Sequence, residues 1–300
     1  MPSTSNGGLA MLERLFRDLS FAWRALRRRP GFLCGAVGTL ALGVAANTAM
    51  FGVVKAVLLA PLPYAEPSEL VAFHFADRKE PAGRNPLSVA DYQEAAPQLS
   101  AFRSVAAYTD GQFTIGGEGG EPEQVRGVWG TGALLQTLGI APAFGRTFTL
   151  ADDVAGGDRQ VVLRDEFWRR RFGGEADVVG RQIMVNGRTS TVVGVMPASF
   201  QFPLREAAGR SGAISLWIRH PSDPPERRGP YYLYGVGRLA PNTSIEQAQA
   251  QLSAVAGRMA TAYPESNADV TIASRPLKDV FVGSSLLTLY ALFVATALVL

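Results

Sequence analysis

The chain is poor in the residues that most enzymes use for chemistry: one cysteine and two histidines in 300 residues. Cys34 is the sole cysteine, and it lies inside an apolar run. No disulfide can form within the chain, and the long region after that run has neither a thiol nucleophile nor a cysteine-based metal site. His74 and His220 are 146 positions apart, each without a nearby Cys or His. Either could join carboxylates around a metal, but an ordinary strand histidine is the simpler reading of both. No Gly-Lys pair occurs, so there is no phosphate loop and no ATP binding of that kind. Gly-x-Ser-x-Gly and His-Glu-x-x-His are also missing. The expectation is a protein with no catalytic site, no cofactor and no metal.

Charge is sparse as well, at 18%, and it is unevenly placed. Residues 1–62 carry seven basic residues (Arg14, Arg17, Arg24, Arg27, Arg28, Arg29, Lys55) against Glu13 and Asp18. The other 238 residues carry 22 basic and 24 acidic side chains. The basic excess therefore belongs to the first fifth of the chain and gives no reason to expect nucleic acid as a partner.

Two runs hold no charge at all. The first, Phe32–Val54, is 23 residues long. At ~1.5 Å rise per residue it makes about 35 Å of helix, enough to cross a hydrocarbon core with some tilt. Gly35, Gly38, Gly43 and Gly52 would weaken an exposed soluble helix but suit a membrane helix. A cleaved signal peptide is the competing reading. It fits poorly, because the apolar core is too long and the basic leader runs to about thirty residues. The second run, 280–300, is apolar on all faces and reads as a second span, with a buried C-terminal helix as its alternative. No polar flank closes it, and the expectation is a chain that continues past Leu300.

Arg24, Arg27, Arg28 and Arg29 place the N-terminus in the cytoplasm by the positive-inside tendency. Leu12, Leu15, Phe16, Leu19, Trp23 and Leu26 recur at helical spacing, so residues 1–31 read as a basic amphipathic leader lying on membrane lipids, with Trp23 at headgroup depth. A leader packed on a cytoplasmic partner is the alternative. The boundaries that follow are a leader over 1–31, a first membrane helix over 32–59, an outer domain over 63–279, and a second membrane helix over 280–300.

The outer region alternates strands and helices. Strands are expected at Leu70–Phe75, Phe102–Tyr108, Gln112–Ile115, Gln124–Val128, Gln160–Leu163, Ser215–Ile218, Tyr231–Leu239 and Val270–Arg275. Helices are expected at Ser88–Ala96, capped by Ser88 with Asp91 at its third position, at Gly130–Leu138, at Arg164–Phe172 and at Ser244–Tyr263. Asn186-Gly187 between two β-rich runs is the pair for a type I′ hairpin. Because strand–helix–strand order recurs near both ends, the expectation is a two-lobed α/β domain. One lobe is βαβ-containing and built from both ends; the other is β-rich and inserted over about 131–228. Arg169-Arg170-Arg171 reads as a solvated helix face paired with Asp165 and Glu166 one turn upstream rather than a phosphate site. Tyr231, Tyr232 and Tyr234 could stack sugars, but cross-strand packing is the stronger reading.

As a set, several segments resemble MacB-like permeases, and specifically the orphan group found duplicated in acidobacteria. They are RRRPGFLCGAVGTLALGVAANTAMFGVVKAVLLAPLPYAEPSELV, EPEQVRGVWGTGALLQTLGIAPAFGRTFT, VVLRDEFWRRRFGG, VVGRQIMVNGRTSTVVGVMPASFQFP and YPESNADVTIASRPLKDVFVG. The likeness runs from about Leu12 to Leu300. It implies a large two-lobed periplasmic core domain on an FtsX-like permease, in the bacterial inner membrane. It also implies a separate ABC ATPase subunit as partner, a periplasmic membrane fusion protein as a further one, and a dimer or internally duplicated form. The implied work is mechanical: ATPase action at the cytoplasmic face drives movement outside and efflux of a periplasmic compound. A membrane-tethered sensor that binds an extracytoplasmic ligand shares the same topology and stays open on sequence alone.

Overall fold

The computed structural model describes residues 29–54, 64–79, 83–116, 121–154, 156–200, 213–219 and 228–280, and singly residues 17, 62, 202 and 291. The chain divides into two units, Met1–Ala60 with Ser284–Leu300 and Pro61–Gly283. Trp23, Arg24, Arg27 and Arg28, with the amphipathic leader they belong to, lie outside the described residues, as do His220 and nearly all of the second apolar run.

The first unit holds helix α1, Pro30–Val54, whose stretch Pro30–Ala49 is long and apolar enough to cross a membrane, with a mean hydropathy of 1.6. Its few polar side chains return their donors to the helix itself. Thr39 Oγ1 donates to the Gly35 carbonyl at 3.1 Å, Asn47 Nδ2 to Gly43 at 3.2 Å and Thr48 Oγ1 to Val44 at 2.8 Å. That internal satisfaction is what an apolar surrounding demands of a helix. Arg29, exposed, stands immediately before it.

The second unit begins with β1 (Leu70–Asp77), β2 (Leu87–Ser88), α2 (Val89–Ala95), β3 (Phe102–Gly116) and β4 (Glu123–Gly130). There follow α3 (Leu134–Leu138), β5 (Phe144–Gly145), β6 (Gln160–Leu163), α4 (Asp165–Phe172), β7 (Gln182–Val185), β8 (Arg188–Val195) and β9 (Leu216–Arg219). The unit closes with β10 (Tyr231–Leu239), α5 (Ile245–Ala262), α6 (Pro264–Asn267) and β11 (Val270–Pro276).

Strands β11, β1, β10 and β3 are neighbours in that order, each pair antiparallel. β1–α2–β3 and β10–α5–β11 are therefore two split βαβ units whose strands interleave, the arrangement of a ferredoxin-like fold. On one face α2 and α5 cover Val71, Phe73, Phe75, Leu233 and Ile272; on the other, Leu70, Ala72, Ala106, Tyr108 and Val236 pack beneath α3 and Phe148. β1 is buried along both faces, which is why its sequence runs apolar rather than alternating.

Between β3 and β10 the chain builds a second sheet region. β3 pairs β4, β4 pairs β9, β9 pairs β6, β6 pairs β8, β8 pairs β7, and β7 returns to β3. These six strands form a closed ring filled by Phe113, Ile115, Val125, Leu163, Ile183, Val185, Val192, Leu216 and Ile218. Asn186 (φ 50°) and Gly187 (φ 72°) both take positive φ, as a type I′ hairpin requires. The hairpin tip is fastened to β3, where the Thr114 amide donates to Asn186 Oδ1 at 2.8 Å.

Three local expectations change. Phe102–Gly116 is one strand of 15 residues rather than two, because Asp110 and Gly111 stay paired with β4 where pairing to β10 ends. Gly130 ends β4 instead of opening a helix, and α3 starts at Leu134. Ser88 caps α2 as expected, its Oγ accepting from the Asp91 amide at 3.1 Å, but the Asp91 carboxylate does not reach back to the backbone. It is fully buried, accepting from Ser88 Oγ at 2.5 Å, Asn267 Nδ2 at 3.0 Å and Arg228 Nη1 at 2.6 Å. Asp91 thus ties α2 to α6 and to Arg228 in the segment leading into β10.

β10 carries Gly235 where the Phe73 ring of β1 lies across it. A Cβ at 235 would sit 2.0 Å from Phe73 Cε2. Gly235→Ala should cost about 1–3 kcal/mol through overpacking. Gly111→Ala, whose Cβ would meet ordinary contacts from 3.7 Å, should stay within about 0.5 kcal/mol. Urea unfolding of the solubilised chain, followed by tryptophan fluorescence, checks both.

Candidate functional site

The base of the second unit is where its chain arrives and leaves. Tyr64 of the incoming segment and Leu277 and Val280 of the outgoing one all belong to the same buried cluster as Leu70, Leu138 and Trp217, with Leu62 packed against it. A force on either segment is therefore applied to one core.

The incoming turn is fixed by charge. Glu66 adopts φ 45°, ψ 60°, a left-handed conformation rare for a residue with a side chain, and Pro67 follows it. Arg103 on β3 reaches both carboxylates of this turn, Nη2 lying 2.6 Å from Glu66 Oε2 and 2.8 Å from Glu69 Oε2. Arg238 on β10, 3% exposed, donates from Nε to the Thr137 carbonyl at 3.0 Å and from Nη1 to the Glu66 carbonyl at 3.3 Å, with Glu69 Oε2 at 3.5 Å. One buried guanidinium thus joins the incoming turn, the end of α3 and the central sheet. Arg103, first by hydrogen bond and then by charge, holds Glu66 below the usual carboxylate range. Burial is the main influence that lowers the Arg238 pKa. No sequence spacing announces this set, since its members come together across 172 positions.

His74 sits near the middle of the same sheet face. It is 1% exposed on β1, with the Gly83 main chain as its hydrogen-bond partner. Burial first, then the charges of Arg84 and Arg275, push it down to about 4, with the Gly83 main chain opposing. It is a strand histidine, as expected.

The other singled-out residues have structural partners. Arg169 pairs with Asp165 at 2.8 Å, one turn upstream, as expected. Arg170 instead meets Glu123 on β4 at 2.5 Å, Arg171 donates to the Glu121 carbonyl at 3.0 Å, and Glu166 pairs with Arg164 at 3.3 Å. α4 is thereby fastened to β4, a long-range contact that helix spacing could not supply. Tyr232 packs with the α5 face and Tyr234 with the opposite one, so the three tyrosines share no stacking surface. No group of His, Cys, Asp and Glu suited to a metal occurs among the described residues.

Residues 34–255 match the MacB-like periplasmic core domain. The chain belongs to that family. The family is one of permease components of ABC-type transporters, whose part is not catalytic. Among solved structures, the chain is similar to the periplasmic region of MacB from Actinobacillus actinomycetemcomitans, with 15% identity over 73% of this chain and 92% of that one and a TM-score of 0.47. It is also similar to the extracellular domain of the noncanonic ABC-type transporter YknZ from Gram-positive bacteria, at 13% identity over 68% and 99% and a TM-score of 0.47. No curated protein sequence matches it.

His74 makes the stability of this domain depend on pH. An unfolded histidine titrates near ~6.5, whereas the folded one titrates near about 4. The unfolded chain therefore binds the proton first. Stability is full above ~6.5 and falls as pH drops through the window towards 4, with about 1.5 kcal/mol lost between pH ~6.5 and ~5. Urea midpoints across that window should show the slope, and a His74→Leu variant should lack it.

Proposed function

We propose that the chain is the permease subunit of an ABC-type export system in the bacterial inner membrane, with α1 crossing the membrane, its N-terminus in the cytoplasm and its core domain in the periplasm. A second membrane helix after Val280, a separate ATPase at the cytoplasmic face and the acidobacterial orphan group are parts of the same reading. So are a fusion protein on the outer domain and a dimeric or duplicated form. The observation that carries it is the base of the core domain. The incoming turn and the outgoing segment share one core, and Arg238 locks the turn to the central sheet. In such a domain, helix movements would be passed on as rigid-body displacement rather than absorbed by loose linkers. Family membership supports it further.

Orientation is tested by replacing Arg24, Arg27, Arg28 and Arg29 with neutral residues. Reporter fusions should change from uniform N-in to mixed orientation, and an unchanged pattern would count against the topology. Coupling is tested with a single spin label at Asp177 in a Cys34→Ser chain purified as a dimer with its ATPase, the distance being read between the two copies. Trapping ATP should shift the distance distribution between the labels, and Arg238→Ala should abolish the shift while the domain stays folded. Failure of any ABC ATPase to co-purify, or distributions indifferent to nucleotide, would sink the transport reading.

A further inference from the structure

Successive side chains of a strand point to opposite faces, and at one mouth of the closed ring this rule gathers positive charge. The face of β6 that sends Val161 inward also carries Arg159, the residue before the strand. The face of β8 that sends Val192 inward also carries Ser190 and Arg188. The two strands are parallel with Gln160 opposite Thr191, and the Thr191 amide donates to the Arg159 carbonyl at 2.8 Å. Arg159 and Ser190 therefore stand side by side. On β4, Trp129 is opposite Ile218 of β9 and packs against the same core. The Arg159 guanidinium carbon lies 5.3 Å from the centre of the Trp129 ring, and Phe113 lies 5.1 Å from that ring.

These cations have no carboxylate to answer them. Arg188 is exposed and Arg159 half-buried, and neither side chain makes an ion pair or a hydrogen bond among the described residues. Arg219, buried at the end of β9, donates from Nη2 to the Gly157 and Asp158 carbonyls at 3.1 and 3.3 Å. It thereby fixes the segment that leads to Arg159 beside a third guanidinium. Burial first, then the charges of Arg188 and Arg219, lower the Arg159 pKa. Asp152 is committed elsewhere, accepting from Arg146 at 2.8 Å, Thr149 Oγ1 at 2.8 Å and Gln160 at 2.9 Å. Ser190 adds a second kind of signal. It is 1% exposed, and its hydroxyl has no hydrogen-bond partner among the described residues. A buried hydroxyl left unmet costs free energy that native structures rarely leave uncompensated.

We infer that Arg159, Arg188 and Ser190, walled by Trp129, form a site for a phosphate-type oxyanion at this mouth of the ring. Guanidinium forks match the oxygen spacing of a phosphate, and two of them supply the charge that a dianion calls for. The Ser190 hydroxyl gives its donor to a third oxygen. Arg159 keeps its place over Trp129, which holds the fork in one orientation. A bound anion also offsets the mutual repulsion of three neighbouring guanidiniums. Arg188 is exposed, so the phosphate can be free or can be carried on the headgroup of a lipid; the recognising chemistry is the same. This inference does not rest on the transport reading, since a domain of any function could hold such a site.

The chain has four tryptophans, so incorporation of 5-fluorotryptophan gives few fluorine signals, and Trp129→Phe identifies the one at the mouth. The full chain in detergent is titrated with inorganic phosphate, dihexanoyl phosphatidic acid and acetate in separate arms at constant ionic strength. The expected result is a saturable shift of the Trp129 signal with at least one of the two phosphates. Arg188→Gln, at an exposed position, should weaken binding by about tenfold or more, and Arg159→Gln by as much. Ser190→Ala should weaken it by about threefold to tenfold, with thermal midpoints confirming the fold of each variant. If Arg159→Gln does not fold, Arg188→Gln decides. Arg169→Gln, which removes a charge from α4 instead, should leave the affinity unchanged. Tighter binding of the phosphatidic acid identifies a lipid headgroup as the source, and equal or tighter binding of inorganic phosphate identifies the free ion. Absence of a saturable shift with either phosphate, or unchanged affinity in Arg188→Gln, overturns the site. An equal loss in Arg169→Gln overturns it too, by reducing it to general charge. Acetate binding as tightly as phosphate overturns the preference for a dianion.

Discussion

One strand serves two cores. β3 spends its first half hydrogen-bonded to β10 in the interleaved βαβ sheet and its second half hydrogen-bonded to β4 in the closed ring, then meets β7 at its end. A strand paired along its whole length resists bending, because a bend would break ladder hydrogen bonds whose loss is costly. Phe113 and Ile115 fill the ring while Ala106 and Ala107 fill the two faces of the open sheet. A displacement at Phe102 is therefore felt at Gly116 without passing through a loop.

That continuity gives the base its meaning. Arg103 lies on β3 and Arg238 on β10, opposite Leu70 of β1 in register. Both reach the turn at Glu66 and Glu69, so the segment that brings the chain into the domain is held by two adjacent central strands. The outgoing side is anchored by packing instead, through Leu277 and Val280. The contrast is physically sensible. A polar turn in left-handed conformation needs directional bonds to be held, whereas an apolar segment leaving β11 can be held by burial alone.

What the sequence made legible were features with local signatures. The uncharged run at 32–54, the Ser88 cap, the Asn186-Gly187 hairpin, the amphipathic α5 with Ala248, Leu252, Val255 and Met259 inward, and the recurrence of strand–helix–strand at both ends all depend on neighbours within a few residues. The features that escaped are long-range. The break placed between Tyr108 and Gln112 followed from Asp110 and Gly111, which look like turn residues until β4 is beside them. Asp91 looked like half of a capping box because nothing nearby foretells Arg228 and Asn267. The Arg238 set had no pattern at all. Periodicity reports which face is buried; it does not report what a buried guanidinium touches.

The same limit explains His74. In sequence it is one polar residue in Leu-Val-Ala-Phe-His-Phe-Ala, a strand buried on both faces, and a neutral imidazole on such a strand usually finds a carbonyl or hydroxyl. The strand's own partners cannot supply one. β1 is flanked by β10 and β11, whose backbone groups are committed to the ladder, and the residue across from it on β11 is Ala273. The Gly83 main chain of the segment before β2 supplies the hydrogen bond instead, while the charges of Arg84 and Arg275 disfavour the protonated ring. A fold that spends a central position on such an arrangement bears a stability cost that an apolar residue there would avoid.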